Sequence, residues 1–195
     1  MKINCRFRTR LAVFAFALAL PNAASAAEPD ITALKGEAAG IIKTFAGSLQ
    51  GDLKAAMERG GPVEAIQVCA AKAAPLADQA SADSGWSVGR SSHKLRNPKN
   101  APDALEAEVL ADFLSRQAKG EKADDLVYAA VVDGTKGKEF RLIKAIPTGE
   151  PCLACHGTAI KPEVAKELDA LYPTDQARGF SAGDMRGVFT LSKSL

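Results

Sequence analysis

Two stretches, Leu126 to Val132 (LVYAAVV) and Glu139 to Ile146 (EFRLIKAI), are rich in β-branched and aromatic side chains and flank Asp133-Gly134 and Gly137. Such runs around turn residues form a β-hairpin, and a hairpin takes an all-helical bundle off the list of folds. The second run alternates less cleanly than a strand with one solvated face should. Gly187 to Leu191 (GVFTL) reads as a last strand. Trp86 to Leu95 reads as a short strand running into a loop, with Asn97-Pro98 and Asn100-Ala101-Pro102 supplying turns.

Helical periodicity dominates the segment before these strands. Ile31, Leu34, Ala38, Ile41, Phe45, Leu49, Leu53 and Met57 recur every three or four residues, as on one face of a long helix. Gly60-Gly61-Pro62 stops that helix. A second follows with Val63, Ile66, Cys69, Ala70, Ala73 and Leu76 on its inner stripe and Glu64 in its first turn, and Pro75 kinks it rather than ending it. Cys69 is therefore expected to face the core. Asp103 and Glu106 form a capping box for a helix with Leu105, Val109, Phe113 and Leu114 on its apolar face, ending near Gly120. The predicted order is helix, helix, strand, helix, strand, strand, cysteine motif, short helix, strand. That order makes an α+β domain with a mainly antiparallel sheet and N-terminal helices, without internal repeats.

The first residues carry Lys2, Arg6, Arg8 and Arg10, then the apolar run Leu11 to Leu20, then Ala24-Ser25-Ala26. This is the order of a secretory signal peptide, expected at residues 1–26, with the mature chain beginning at Ala27 in the periplasm. The apolar run is about half the roughly 20 residues needed to span a bilayer, and Pro21 ends it, so membrane contact is expected only through the cleaved leader. Residues 27–195 suit one domain. Without the leader cations the formal charge moves from +2 to −2, and no basic patch stands out that would suit nucleic acid. Cys5 leaves with the leader, so three of the four cysteines remain. An odd number in an oxidising compartment leaves one thiol reactive unless something occupies it.

Cys152-Leu153-Ala154-Cys155-His156 is the attachment signature for c-type haem. Two residues between the thiols let both sulfurs reach neighbouring pyrrole edges from one side, and the adjacent histidine reaches the iron. A zinc site would need a fourth ligand, and the usual second ligand pair is missing. A thioredoxin-like dithiol would need a strand-then-helix setting, whereas Pro151 and Gly157-Thr158 suggest that the motif lies in a loop. One covalent haem c is the expected cofactor, with no further metal.

For the position opposite His156, four side chains qualify: Cys69, His93, Met57 and Met185. Met57 continues a core stripe and Met185 follows the turn-like Gly183-Asp184, so both are better explained by packing or exposure. His93 lies in the polar stretch Ser91-Ser92-His93-Lys94, where an exposed imidazole is the ordinary outcome. A buried free Cys69 behaves as a small apolar residue, yet an unligated thiol in the periplasm is open to oxidation. Chemistry alone leaves Cys69 and His93 level.

Several stretches together resemble a known family: AIQVCAAKAAPLA around Cys69, VGRSSHKLRNPKNAPD from Val88, CLACHG from Cys152 and GDMRGVFTL from Gly183. They look like the PAS-like c-type haem family, formerly a domain of unknown function and similar to a cyanobacterial haem protein with histidine and cysteine axial ligands. The resemblance covers nearly the whole mature chain. It implies that Cys69 is the distal ligand opposite His156 and that a PAS-like antiparallel sheet carries the haem beside N-terminal helices. Arg90, Arg96 and Arg186 are then candidates to pair with haem propionates or to fix turns.

The rival architecture is a four-helix cytochrome with its haem motif near the end of the last helix. Here 39 residues follow His156 and close on GVFTL, which a bundle does not accommodate. Two functions follow from the expected ligands. A thiolate that leaves on reduction, or yields to a diatomic gas, makes a haem-based sensor; stable ligation makes a one-electron carrier of a periplasmic respiratory chain. No kinase, methyl-accepting or DNA-binding segment is legible, so a sensor is expected to act through a separate signalling protein, and a carrier through a redox partner. Catalysis is not expected, because His156 fills the face that oxygen activation needs.

Overall fold

The computed structural model describes residues 28–195; the expected leader and its cleavage point lie outside the described residues. The first element, α1 (Ile31–Ser84), begins where the Asp30 side chain accepts from the Ala33 N–H at 3.0 Å. It is broken at Gly61, whose φ of 68° and ψ of −160° belong to neither half. Twenty residues of continuous helix would separate Asp52 from Lys72 by about 30 Å. Instead Lys72 Nζ lies 2.9 Å from Asp52 Oδ2, so the halves fold back on each other as a helical hairpin. The stop at Gly60-Gly61-Pro62 is therefore a turn of a single non-helical residue, and the second helix runs on through Pro75 to Ser84.

The strands β1 (Ser87–Ser91), β2 (Val127–Gly134), β3 (Gly137–Pro147) and β4 (Met185–Ser194) form one sheet in the order β1-β4-β3-β2. Every neighbouring pair is antiparallel, and the β2–β3 hairpin closes with Gly134 opposite Gly137. Both faces of the sheet are covered, which explains the imperfect alternation of β3. Phe140 and Leu142 turn to the α1 hairpin and pack with Ala38, Ile42, Phe45, Trp86, Val88 and Leu191. Ile143 and Ala145 turn the other way, onto Val109, Leu110 and Phe113 of α2 (Ala104–Ala118). Burying Phe140 and Ile143 this completely contributes about 1.5–3 kcal/mol each.

The capping box of α2 forms as expected: Asp103 accepts from the Glu106 N–H at 2.8 Å, and the Glu106 carboxylate accepts from the Asp103 N–H at 3.2 Å. Its buried face differs at one position. Leu110 takes the core place expected of Leu114, which is 37% exposed, because the sheet-facing stripe advances by a full turn from Glu106. Ala70 likewise faces solvent rather than the core, since the second hairpin helix buries only the narrower stripe through Ile66.

The far end of the sheet positions the cysteine motif. Ile146 pairs with Gly187, but Pro147 pairs with Met185, so Arg186 is the extra residue of a β-bulge. The bulge returns Met185 to the core under α2 and leaves Arg186 free to leave the sheet surface. Gly187 is required there: a Cβ would stand 2.5 Å from the Ser91 carbonyl oxygen. The motif itself is helical and not a loop. A 3-10 turn (Glu150–Cys152) runs into the short helix α3 (Leu153–His156), after which α4 (Pro162–Leu171) packs on the α1 hairpin through Ile66, Val164 and Leu168.

Candidate functional site

Cys155 packs into the cluster of Ile66, Val164 and Leu168, and Cys69 lies one helical turn beyond Ile66 on the same side of α1. The helical hairpin thus carries Cys69 to the side of the motif. Cys152 is exposed, while Cys155 and Cys69 are partly buried, and none of the three is disulfide-bonded. Burial pushes the Cys69 thiol up, and the guanidiniums of Arg90, Arg96 and Arg186 pull against that rise. Among the described residues, no three His, Cys, Asp or Glu side chains form a ready-made ion cage.

His156 is held by its ring. Nδ1 lies 2.7 Å from the Ala177 carbonyl oxygen, which can only accept, so Nδ1 carries the proton and Nε2 keeps a lone pair. Arg186 Nε lies over the ring edge, 3.1 Å from Nδ1 and 3.4 Å from Nε2, and Arg96 Nη1 stands 3.4 Å from Nε2. Burial first, then these two positive charges, push the His156 pKa down to about 3, so the imidazole is neutral at any physiological pH.

The three arginines differ in how their charge is met. Arg96 makes a two-pronged contact to Asp175, at 3.2 Å from Nε and 3.1 Å from Nη2, and also donates from Nη2 to the carbonyls of Cys155 at 2.6 Å and Ala177 at 3.2 Å. It is a turn-fixing residue. Arg186 has no carboxylate; it donates to Ser92 Oγ at 2.9 Å and to the Lys94 carbonyl at 3.3 Å, and its pKa is lowered to about 10 by burial, then Arg96 and Arg90. Arg90 rests over the Phe45 ring at 5.9 Å, again without a carboxylate partner, and burial lowers its pKa. Two half-buried cations without a direct carboxylate contact lose hydration that no anion of the chain restores at contact distance.

The other candidates lie on different elements from Cys69 or, in the case of Met57, before the hairpin turn. His93 is partly buried and not exposed, with its ring edge-on to Phe180 at 5.8 Å and its Nδ1 buried without a partner. Burial keeps its pKa below the usual histidine value. Met185 is a core residue at 1% exposure, and Met57 lies on α1 before the hairpin turn. Sequence reasoning missed Asp175, Ala177, Phe180 and Tyr172. All four come from the segment after α4, whose only sequence signal is charge, in Asp175 and Arg178. Tyr172 joins the Cys155 cluster, and Phe180 packs against both His93 and His156.

A twisted antiparallel sheet between a helical hairpin and a capped helix, with a Cys-x-x-Cys-His helix docked at the bulged end of its central strand, defines an α+β sheet domain built around that motif. The chain belongs to the Tll0287-like family, whose model matches residues 22–194. In structure it is similar to the cyanobacterial heme-protein Tll0287, with a TM-score of 0.63 and 24% identity over 86% of this chain and 96% of that one. No curated protein matches.

Proposed function

We propose that this protein is a periplasmic monohaem c-type cytochrome, attached through Cys152 and Cys155, with His156 and Cys69 as axial iron ligands. The observation that carries this reading is the pair of half-buried guanidiniums without a carboxylate contact, Arg90 and Arg186, beside a neutral imidazole whose Nε2 keeps its lone pair. A haem brings two carboxylates and an iron, which meet both needs at once. Arg96, already satisfied by Asp175, is left out of that role. Membership of the Tll0287-like family and structural likeness to a cyanobacterial heme-protein support it further. Cys69 is favoured over His93 by the family resemblance and by its place one helical turn from Ile66, which packs with Cys155.

When bound, the group supplies a one-electron centre whose ferric form favours a thiolate. The chain's own residues would do the rest: Ala177 holds the Nδ1 proton of His156, Arg90 and Arg186 would meet carboxylates, and burial around Cys69 works against the thiolate while Arg90, Arg96 and Arg186 favour it. That balance suits a redox or diatomic-gas sensor acting through a separate signalling protein, and not an enzyme. The exposure of Cys152 favours a second reading, a one-electron carrier in a periplasmic respiratory chain, since it brings the attachment edge within reach of a redox partner.

The test is the mass, visible spectrum and low-temperature EPR of the purified holoprotein, in parent, Cys69→Ser and His93→Ala forms. A covalent haem mass and a ferric thiolate signal lost only in Cys69→Ser are expected. Thiolate loss on reduction, followed by carbon monoxide binding, would favour the sensor; retention would favour the carrier. A spectrum altered by His93→Ala and not by Cys69→Ser would make the ligation bis-histidine and sink the assignment.

A further inference from the structure

The most tightly determined polar cluster in the described chain is one that ligation itself does not require. The Asp175 carboxylate, on a side chain 1% exposed, accepts four hydrogen bonds: two from Arg96, one from the Ala177 N–H at 2.9 Å and one from Arg178 Nε at 2.9 Å. Those bonds outweigh the burial that works against the charged form, and hold its carboxyl below the usual carboxylate range. Around it, Gln176 N–H donates to the Leu95 carbonyl at 2.7 Å, Gly179 N–H to Gly157 at 3.0 Å, and Phe180 N–H to His156 at 3.0 Å. The segment 175–180 is thereby stitched to both the loop after β1 and the cysteine motif.

Two consequences converge on His156. The Ala177 carbonyl is aimed at Nδ1 because Asp175 fixes the Ala177 backbone, and the Arg96 guanidinium is held at 3.4 Å from Nε2 because Asp175 grips its other edge. Without the carboxylate, Arg96 would be a third uncompensated cation beside the imidazole. We propose that Asp175 is a positioning residue for the iron ligand: it commits the Nδ1 proton of His156 to Ala177 and cancels the charge of Arg96, and so sets the reduction potential of the site. This rests on the reading that His156 ligates iron.

The physical direction is fixed. A strong Nδ1–H bond to a carbonyl raises the basicity of the ligating nitrogen, and a nearby carboxylate favours the more positive ferric state; both lower the potential. Asp175→Asn keeps the shape while removing the charge, so it weakens both effects in the same direction.

Covalent haem mass, midpoint potential and the exchange rate of the His156 Nδ1 proton in the diamagnetic ferrous protein are measured for the parent, Asp175→Asn, Asp175→Glu and Arg96→Lys. The exposed Asp169→Asn serves as a control. Asp175→Asn is expected to keep the haem mass, to favour the ferrous form about tenfold, which is ~59 mV for one electron, and to exchange the ring proton at least tenfold faster. Asp175→Glu should recover part of both, and Asp169→Asn should change neither. If Asp175→Asn does not fold, Arg96→Lys, which keeps the charge but loses the two-pronged grip, must still speed the proton exchange. A loaded Asp175→Asn protein with unchanged potential and exchange overturns the proposal. A parent without covalent haem, or one whose spectrum ignores His156→Ala, instead overturns the functional reading beneath it.

Discussion

Two buried arginine clusters sit on opposite sides of the same sheet, and they solve the problem of burying charge in opposite ways. Under α2, Arg141 on β3 meets Glu106 at 3.0 Å, Asp103 at 2.8 Å and Glu139 at 3.4 Å, and Thr190 donates to the same Glu106 oxygen at 2.6 Å. One cation faces three carboxylates, so its charge is met within the chain, although Arg141 Nε is buried without a partner. At the cysteine motif, only Arg96 of the three arginines contacts a carboxylate, Asp175, while Arg90 and Arg186 contact none. A closed cluster stabilises; one with excess cation selects an anion. The contrast separates a structural feature from a binding site without any appeal to the motif.

The comparison breaks most severely at the thiols. Replacing both Cys152 and Cys155 by Ser should abolish covalent haem altogether, read as the intact mass of the purified protein. Hydrogen exchange should then rise in 90–96, 155–157 and 175–186, while the backbone under α2 stays protected. Equal loss of protection on both sides of the sheet would mean that the clusters are one unit.

Glu106→Ala attacks the closed cluster instead. It removes the capping-box partner and the carboxylate shared by Arg141 and Thr190, and breaking a buried pair of this kind costs about 3 kcal/mol. Urea unfolding should show that loss, with the visible spectrum of the folded protein unchanged. A spectral change of the size seen for Cys69→Ser would show that the two faces communicate.

Arg186→Met and Arg90→Met probe the open cluster from the side opposite to Asp175→Asn. Removing a cation near the iron favours the ferric form, because the positive charge no longer opposes the more positive oxidation state. Redox titration should therefore show a lower midpoint potential in both variants. An unchanged potential in either would place that guanidinium outside the field of the iron.

How much of this was visible in the chain depends on how local the signal is. The helices, the Asp103–Glu106 cap, the hairpin and the last strand each rest on spacing within a dozen residues, and all were legible. The bulge at Arg186 was not, because it arises from the pairing of Pro147 with Met185 across 38 positions, which no local pattern encodes. Nor was the helicity of the motif: Pro151 and Gly157 suggested a loop, yet Pro starts a helical turn as readily as it ends one. The site was half legible. Cys152, Cys155 and His156 announce themselves by spacing, whereas Cys69 needed a family resemblance, and Asp175 and Ala177 act through one carboxylate and a main-chain oxygen that no side-chain motif records.

The smallest expected effect is one of pH, on the closed cluster. Burial works to raise the Asp103 pKa, but the Glu106 N–H and Arg141 outweigh it, and the carboxyl lies below its usual range. A carboxyl lowered by folding stabilises the native state fully above its unfolded pKa of about 4, and that contribution fades as pH falls through the folded value. Asp103 is half exposed, so solvent screening holds the contribution to no more than about 1 kcal/mol. The stability difference between parent and Asp103→Asn should therefore be flat from neutral pH to about 5 and shrink below about 4. A difference that stays constant to lower pH would mean that Asp103 acts only as a neutral cap, leaving Glu106 and Glu139 to balance Arg141.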